Sequence, residues 1–127
     1  MPFDSKDFVE SDPLVFTPGK EGLRKLSYVL RHGLPRGWVW DFGKVEKDCG
    51  SVGCAIGVGR HMWPQFRAIT SHTGNDYSGT ALAFDIPIAV AKAIFYDPGI
   101  YGVSWNRILP IDVADAIDRY LATGKVS

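Results

Sequence analysis

The stretch that says most about the fold runs from residue 17 to residue 35 and reads TPGKEGLRKLSYVLRHGLP. Thr17 and Pro18 predict a helix start, because threonine is a favoured N-cap and proline suits the first helical turn. Gly33 and Pro35 predict the helix end. Between these signals, apolar residues recur at the three- and four-residue spacing of one helix face, at Leu23, Leu26, Val29 and Leu30.

Three more helices are predicted further along the chain. One covers about residues 51–62, a small-residue, apolar stretch expected to be buried and closely packed. The next is capped by Asp85 and has Pro87 in its first turn. The last begins at Pro110 and stops at Gly124, with an apolar face towards the core and its acidic residues towards water.

Short extended segments complete the predicted fold. Alternating aromatic residues predict a strand over residues 38–42, and residues 65–70 are predicted as a second one. Residues 71–79 have the composition of a loop. The sequence therefore predicts a mainly α, or α+β, fold of about four helices with one or two short strands. Residues 1–16 form an N-terminal arm in this prediction, and residues 17–127 a single globular domain.

Composition and charge narrow the classes of function. The 127 residues carry no net charge, although residues 20–67 hold nine basic and four acidic side chains. These bases are interleaved with acids and apolar residues, so nucleic-acid binding is not favoured. The acidic N-terminus does not resemble a signal peptide, and no apolar run is long enough for a membrane span. Two cysteines provide no disulfide scaffold, and a cytoplasmic location is expected.

A cysteine nucleophile is the most specific chemical hypothesis. Cys49 precedes the predicted helix at 51–62, and a helix N-terminus lowers a thiol pKa and favours the thiolate. His72, in the polar stretch 71–79, is the candidate general base. Cys54 lies among apolar residues and is expected to be core packing.

The glycine-rich stretch from Cys49 to Gly59 gives less support to a disulfide, a metal site or a phosphate-binding loop. A disulfide between Cys49 and Cys54 needs an irregular first turn, because a continuous helix would hold their Cα atoms too far apart. No His pair or second Cys pair predicts a metal site, and no phosphate-loop motif is present. No metal or cofactor is therefore expected. The glycines predict close packing, against Trp38 or Trp40.

An aromatic loop over residues 99–108 is the candidate binding surface. Tyr101, Trp105 and Arg107 belong to the residue types most enriched at interaction hot spots. In the alternative interpretation, Trp105 covers the core and only Tyr101 is exposed.

The glycine-rich stretch also resembles a signature, CG(S/T)xxCxxG, of small uncharacterised bacterial and phage-borne proteins. The matching residues are Cys49, Gly50, Ser51, Cys54 and Gly57, with Trp40-Asp41-Phe42 before them and Ile108-Leu109-Pro110 opening the last helix. The resemblance implies a shared fold over about residues 20–124 and carries no activity.

Two functions remain open from the sequence. The favoured one is a non-enzymatic binding protein with a protein partner, acting through the aromatic loop. The alternative is a small cysteine-dependent hydrolase or acyl transferase with Cys49 as nucleophile and His72 as base. Self-association is a further open question, because many aromatic side chains must find cover.

Overall fold

The computed structural model describes residues 16–34, 36–40, 42, 52–72 and 76–126, and in these ranges the chain is mostly helical. The α-helices in the described ranges are α1 Lys20–His32, α2 Ala55–Met62, α3 Pro64–His72, α4 Asp76–Phe84, α5 Ile88–Phe95 and α6 Pro110–Thr123. The predicted helical fold class is confirmed. The predicted number of helices was too low, because α3 and α4 occupy stretches that were predicted as a strand and a loop.

The first helix begins later than its sequence signals predict. Lys20 is its first residue and Gly19, with φ 82°, precedes it. Thr17 does not cap this helix. Its hydroxyl oxygen instead accepts a hydrogen bond of 2.7 Å from the ammonium group of Lys25, whose side chain is buried. The Gly19 amide donates to the Ala83 carbonyl at 2.7 Å, and so ties the start of α1 to the end of α4.

Helices α1 and α6 form the most extensive helix pair of the fold. The apolar face of α1 is buried as predicted, and so are Val113 and Ile117 of α6. Asp118 was expected to face water only, but its carboxylate accepts hydrogen bonds from Ser27 at 2.7 Å and Arg31 at 2.6 Å. A polar seam therefore accompanies the apolar contact between the two helices.

The ends of α6 agree with the sequence. The Asp112 carboxylate accepts a hydrogen bond of 2.9 Å from the Leu109 amide, one of the backbone groups left without an intrahelical partner at a helix start. At the other end, Gly124 has the left-handed backbone, φ 77°, that glycine adopts at low cost.

The strand prediction is half correct. Val39–Trp40 (β1) pairs in parallel with Val52–Gly53 (β2), and the Trp40 indole N–H donates to the Ile108 carbonyl at 2.6 Å. Residues 65–70, by contrast, lie inside α3. There the Thr70 hydroxyl donates to the Phe66 carbonyl at 2.9 Å, a contact one helical turn back along the chain.

An aromatic cluster fills the core where α2, α3 and α4 meet. Phe66 stacks on Phe84 with ring centroids 5.1 Å apart, and Trp63 meets Phe66 edge-on at 6.3 Å. Phe16 packs against both Trp63 and Phe66, at 5.9 and 6.0 Å. The last residue of the predicted arm therefore contributes to the core.

Close packing at the glycine-rich helix is confirmed at Gly59, where the nearest partners differ from those predicted. Helix α2 starts at Ala55 rather than near residue 51. A Cβ added to Gly59 would lie 3.0 Å from the Phe66 ring and 3.5 Å from Trp63. The glycine thus gives space to the aromatic cluster rather than to Trp38 or Trp40.

The turn between α4 and α5 also differs from its prediction. Asp85 does not cap α5: it sits in the turn with φ 54°, and Pro87 is the residue before the helix. No single helix within the described ranges is long and apolar enough to cross a membrane. Helices α4 and α5 reach that length and composition only when combined, and the chain bends by 107° between them.

Candidate functional site

The thiol hypothesis falls largely outside the described residues. Cys49 is not among them, and His72 is described only as the last residue of α3. The two roles, and a bridge between Cys49 and Cys54, therefore stay predictions. Cys54 is 1% exposed at the start of α2, so its thiol lies in the core, as the sequence predicts. Across the described part of the chain, no three His, Cys, Asp or Glu side chains are grouped as metal ligands.

The predicted aromatic loop folds into two 3-10 turns, Pro98–Tyr101 and Trp105–Arg107. The first is started by Asp97, whose carboxylate accepts a hydrogen bond of 2.9 Å from the Gly99 amide. Gly102 then takes the left-handed conformation, φ 69°, and reverses the chain. The segment therefore consists of regular backbone turns and is not an irregular loop.

Tyr101 fastens this segment to the body of the protein. Its hydroxyl donates to the Ile94 carbonyl at 2.6 Å, and its ring meets Phe42 edge-on at 5.6 Å. The side chain is partly buried, so the alternative in which Tyr101 alone is exposed is wrong. The side chain of Trp105 lies outside the described part of the structure.

Burial raises the pKa of the Tyr101 hydroxyl, and the Asp112 carboxylate raises it further, while Arg119 acts in the opposite direction. A tyrosine in an unfolded chain titrates near pH 10. The folded state holds the Tyr101 proton more tightly than the unfolded chain does, so the protonated hydroxyl stabilises the folded protein. This stabilisation is complete below about pH 10 and is lost as the pH rises through the folded-state pKa of Tyr101.

We expect the stability advantage of the wild type over Tyr101→Phe, about 1 kcal/mol at pH 8, to shrink between pH 10 and 11. Urea unfolding of both proteins at each pH tests this, and a constant difference would contradict it.

A small groove of about 260 Å³ lies between this segment and α6. It is lined by Ile100, Tyr101, Val103, Arg107, Asp112, Asp115 and Arg119. Its two arginines and two aspartates give it a balanced formal charge. The aspartates, however, already accept hydrogen bonds from other groups of the protein.

The acidic side chains of the small groove are already engaged within the protein. Asp112 accepts from the Leu109 amide, and Asp115 accepts from Arg31 at 2.9 Å. Ion pairs in the described part of the chain include Arg24–Glu21, Arg31–Asp115 and Arg31–Asp118. Arg107 and Arg119 take part in none of these pairs. Their guanidinium groups are thus the charged groups of the groove that have no ion-pair partner among the described residues.

A second, broader groove of about 640 Å³ adjoins the first one and shares Val103 and Arg107 with it. Its remaining lining comes from the turns themselves, at Asp97, Pro98, Gly99, Gly102 and Ser104. Two glycines in this lining leave the backbone open to close approach by another chain.

Apolar side chains are exposed along the same stretch. Val103 is 43% exposed, and Leu109 and Ile111, at the start of α6, are 54% and 40% exposed. We refer to the two grooves together with Leu109 and Ile111 as the 97–111 surface. It combines exposed apolar groups with two arginines, a residue type that is enriched in protein interfaces.

No protein-family model, curated protein or solved structure matches this chain. The resemblance to the CG(S/T)xxCxxG proteins therefore stays a prediction. Of its cysteines only Cys54 lies among the described residues.

The sequence identified part of this surface and missed the rest. Tyr101 and Arg107 were predicted and both line the small groove, although Tyr101 acts mainly as an internal anchor. Arg119 and Val103 were not identified as part of it. Val103 had a weak signal as an apolar residue within a turn, whereas nothing local to Arg119 relates it to Arg107.

Proposed function

We propose that this protein is a non-enzymatic binding protein that holds a protein partner across the 97–111 surface. The observation that carries the proposal is the pair of adjoining grooves that share Val103 and Arg107. Val103 provides apolar area, and Arg107, a residue type enriched at interaction hot spots, provides a directional charged donor.

The shape of the surface supports a protein partner over a small molecule. Small-molecule sites are typically enclosed, mostly apolar cavities that bury most of their ligand. The two grooves here are open and lie side by side, so an occupant would extend from one to the other. A nucleic acid is disfavoured because its phosphate backbone needs several basic side chains, and the two grooves hold two arginines against three aspartates.

Selection from a random peptide display library, with the full chain as bait, tests the proposal. We expect enriched peptides that shift backbone amide resonances within residues 97–119 in nitrogen-15 NMR spectra. Val103→Asp should weaken their binding about tenfold or more, because it places a charge at the shared wall of the two grooves.

The matched control is Leu82→Asp, which places the same charge on a 69% exposed side chain of α4. This variant should bind the selected peptides like the wild type. Circular dichroism establishes that both variants are folded. The proposal fails if no peptide is enriched, if the peptides shift only other regions, or if the two variants bind equally well.

A further inference from the structure

We infer that the partner contributes an acidic segment, and that one of its carboxylates lies in the small groove between Arg107 and Arg119. This inference rests on the proposed function, since it specifies the chemistry of the partner at the 97–111 surface. It goes further because the side chains of the small groove select for one kind of charge.

The preference for an acidic ligand comes from a difference between the aspartates of the groove, which are bonded within the protein, and its arginines, which form no ion pair with the described residues. The groove's carboxylates, Asp112 and Asp115, already accept hydrogen bonds from the Leu109 amide and from Arg31. Arg107 and Arg119, from the second 3-10 turn and from α6, form no ion pair among the residues that the structure describes. A guanidinium group binds a carboxylate through charge-assisted hydrogen bonds, so an acidic side chain is the complementary ligand.

A carboxylate suits this groove better than a phosphate group does. Asp112 and Asp115 remain negatively charged and offset part of the attraction of the two arginines, whereas the cost of removing an ion from water grows with the square of its charge and so disfavours a phosphate close to two negative charges. Ile100 and Val103 supply apolar contact on the same walls. A glutamate or aspartate flanked by apolar residues meets both conditions, and phosphorylation is not needed.

The dimensions of the grooves favour an extended segment. The small groove, about 260 Å³, has room for a side chain and is below the usual volume of a small-molecule site. The broader groove, about 640 Å³, continues past Val103 and Arg107 over Gly99 and Gly102. Residues next to the acidic one can therefore lie over the turns, where glycine allows a close backbone approach.

Two synthetic peptides of equal length test the inference. Both are acetylated and amidated; one contains two glutamates flanked by leucines, and the other has glutamines in place of the glutamates. Titrated into the labelled full chain, the glutamate peptide should shift amides of residues 99–119 and bind about tenfold more tightly than its glutamine counterpart. Its affinity should also fall as sodium chloride is raised, because salt screens exposed charges.

Variants of the arginines locate the effect. Arg119→Gln and Arg107→Gln should each remove most of the preference for the glutamate peptide. Arg24→Gln, which removes a half-buried arginine of α1 that is paired with Glu21, should leave the preference unchanged. Since all three replace a surface charge by a neutral amide, differences in folding do not account for a selective loss.

The outcomes separate this inference from the proposed function. Equal binding of the two peptides overturns the inference, and so does tighter binding of a phosphoserine peptide of the same length or a preference that survives both arginine variants. If library peptides occupy the 97–111 surface without acidic residues, the inference fails and the proposed function stands. If neither library peptides nor the synthetic pair bind there, both fail.

Discussion

Gly22→Ala is expected to lower the free energy of unfolding by about 3 kcal/mol, although alanine normally favours a helix over glycine by about 1 kcal/mol. The reason is the segment before α1. A Cβ at Gly22 would fall well inside the van der Waals distance of the Thr17 carbonyl oxygen and would also touch the Phe84 ring, at 3.4 Å. The backbone at Thr17 would have to move, although the Thr17 hydroxyl is bonded to Lys25. Urea unfolding followed by circular dichroism measures the loss.

Gly33→Ala provides the matched control. Gly33 follows the end of α1 with extended backbone, φ −176°, and an added Cβ there meets nothing within 4 Å. The same chemical change should therefore leave stability within about 1 kcal/mol of the wild type. Equal effects of the two variants would show that Thr17 does not approach Gly22 in the folded protein.

Trp63→Ala is expected to cost about 4 kcal/mol, in the range found for large aromatic side chains removed from protein cores. Trp63 is fully buried between α2 and α3 and contacts Phe16 and Phe66. Because Gly59 lets the Phe66 ring approach closely, the rings have little freedom to move into the vacated volume. A large cavity should therefore remain, and thermal unfolding should occur at a much lower temperature.

The control for Trp63 is Leu82→Ala, a truncation on the surface of α4. Leu82 is 69% exposed, so the change should alter the free energy of unfolding by less than about 0.5 kcal/mol. A loss at Trp63 as small as that at Leu82 would mean that the aromatic cluster does not hold α2, α3 and Phe16 together.

The candidate site could be predicted only where one segment carries its own signals. Asp97, Pro98 and Gly99 are strong turn residues, and Tyr101 and Arg107 were recognised by residue type. The role of Tyr101 was not predictable, since its hydroxyl bonds to Ile94 on a neighbouring helix. The sequence also could not show which charged side chains of the groove are bonded within the protein, because this depends on Arg31 of α1 bonding to Asp115 of α6.

The sequence by itself determined the helices that have a strong apolar face and clear end signals. In α1 this is the repeat of Leu23, Leu26, Val29 and Leu30, and in α6 it is the stretch from Pro110 to Gly124. Tertiary structure decided α3 and α4. Their residues, such as Phe66, Thr70 and Thr80, show no clear helical pattern and become helical where they are buried in the core. Tertiary structure also brought Arg119 into the same groove as Arg107. Local propensity contributes only tenths of a kcal/mol per residue, so burial of an aromatic cluster outweighs it.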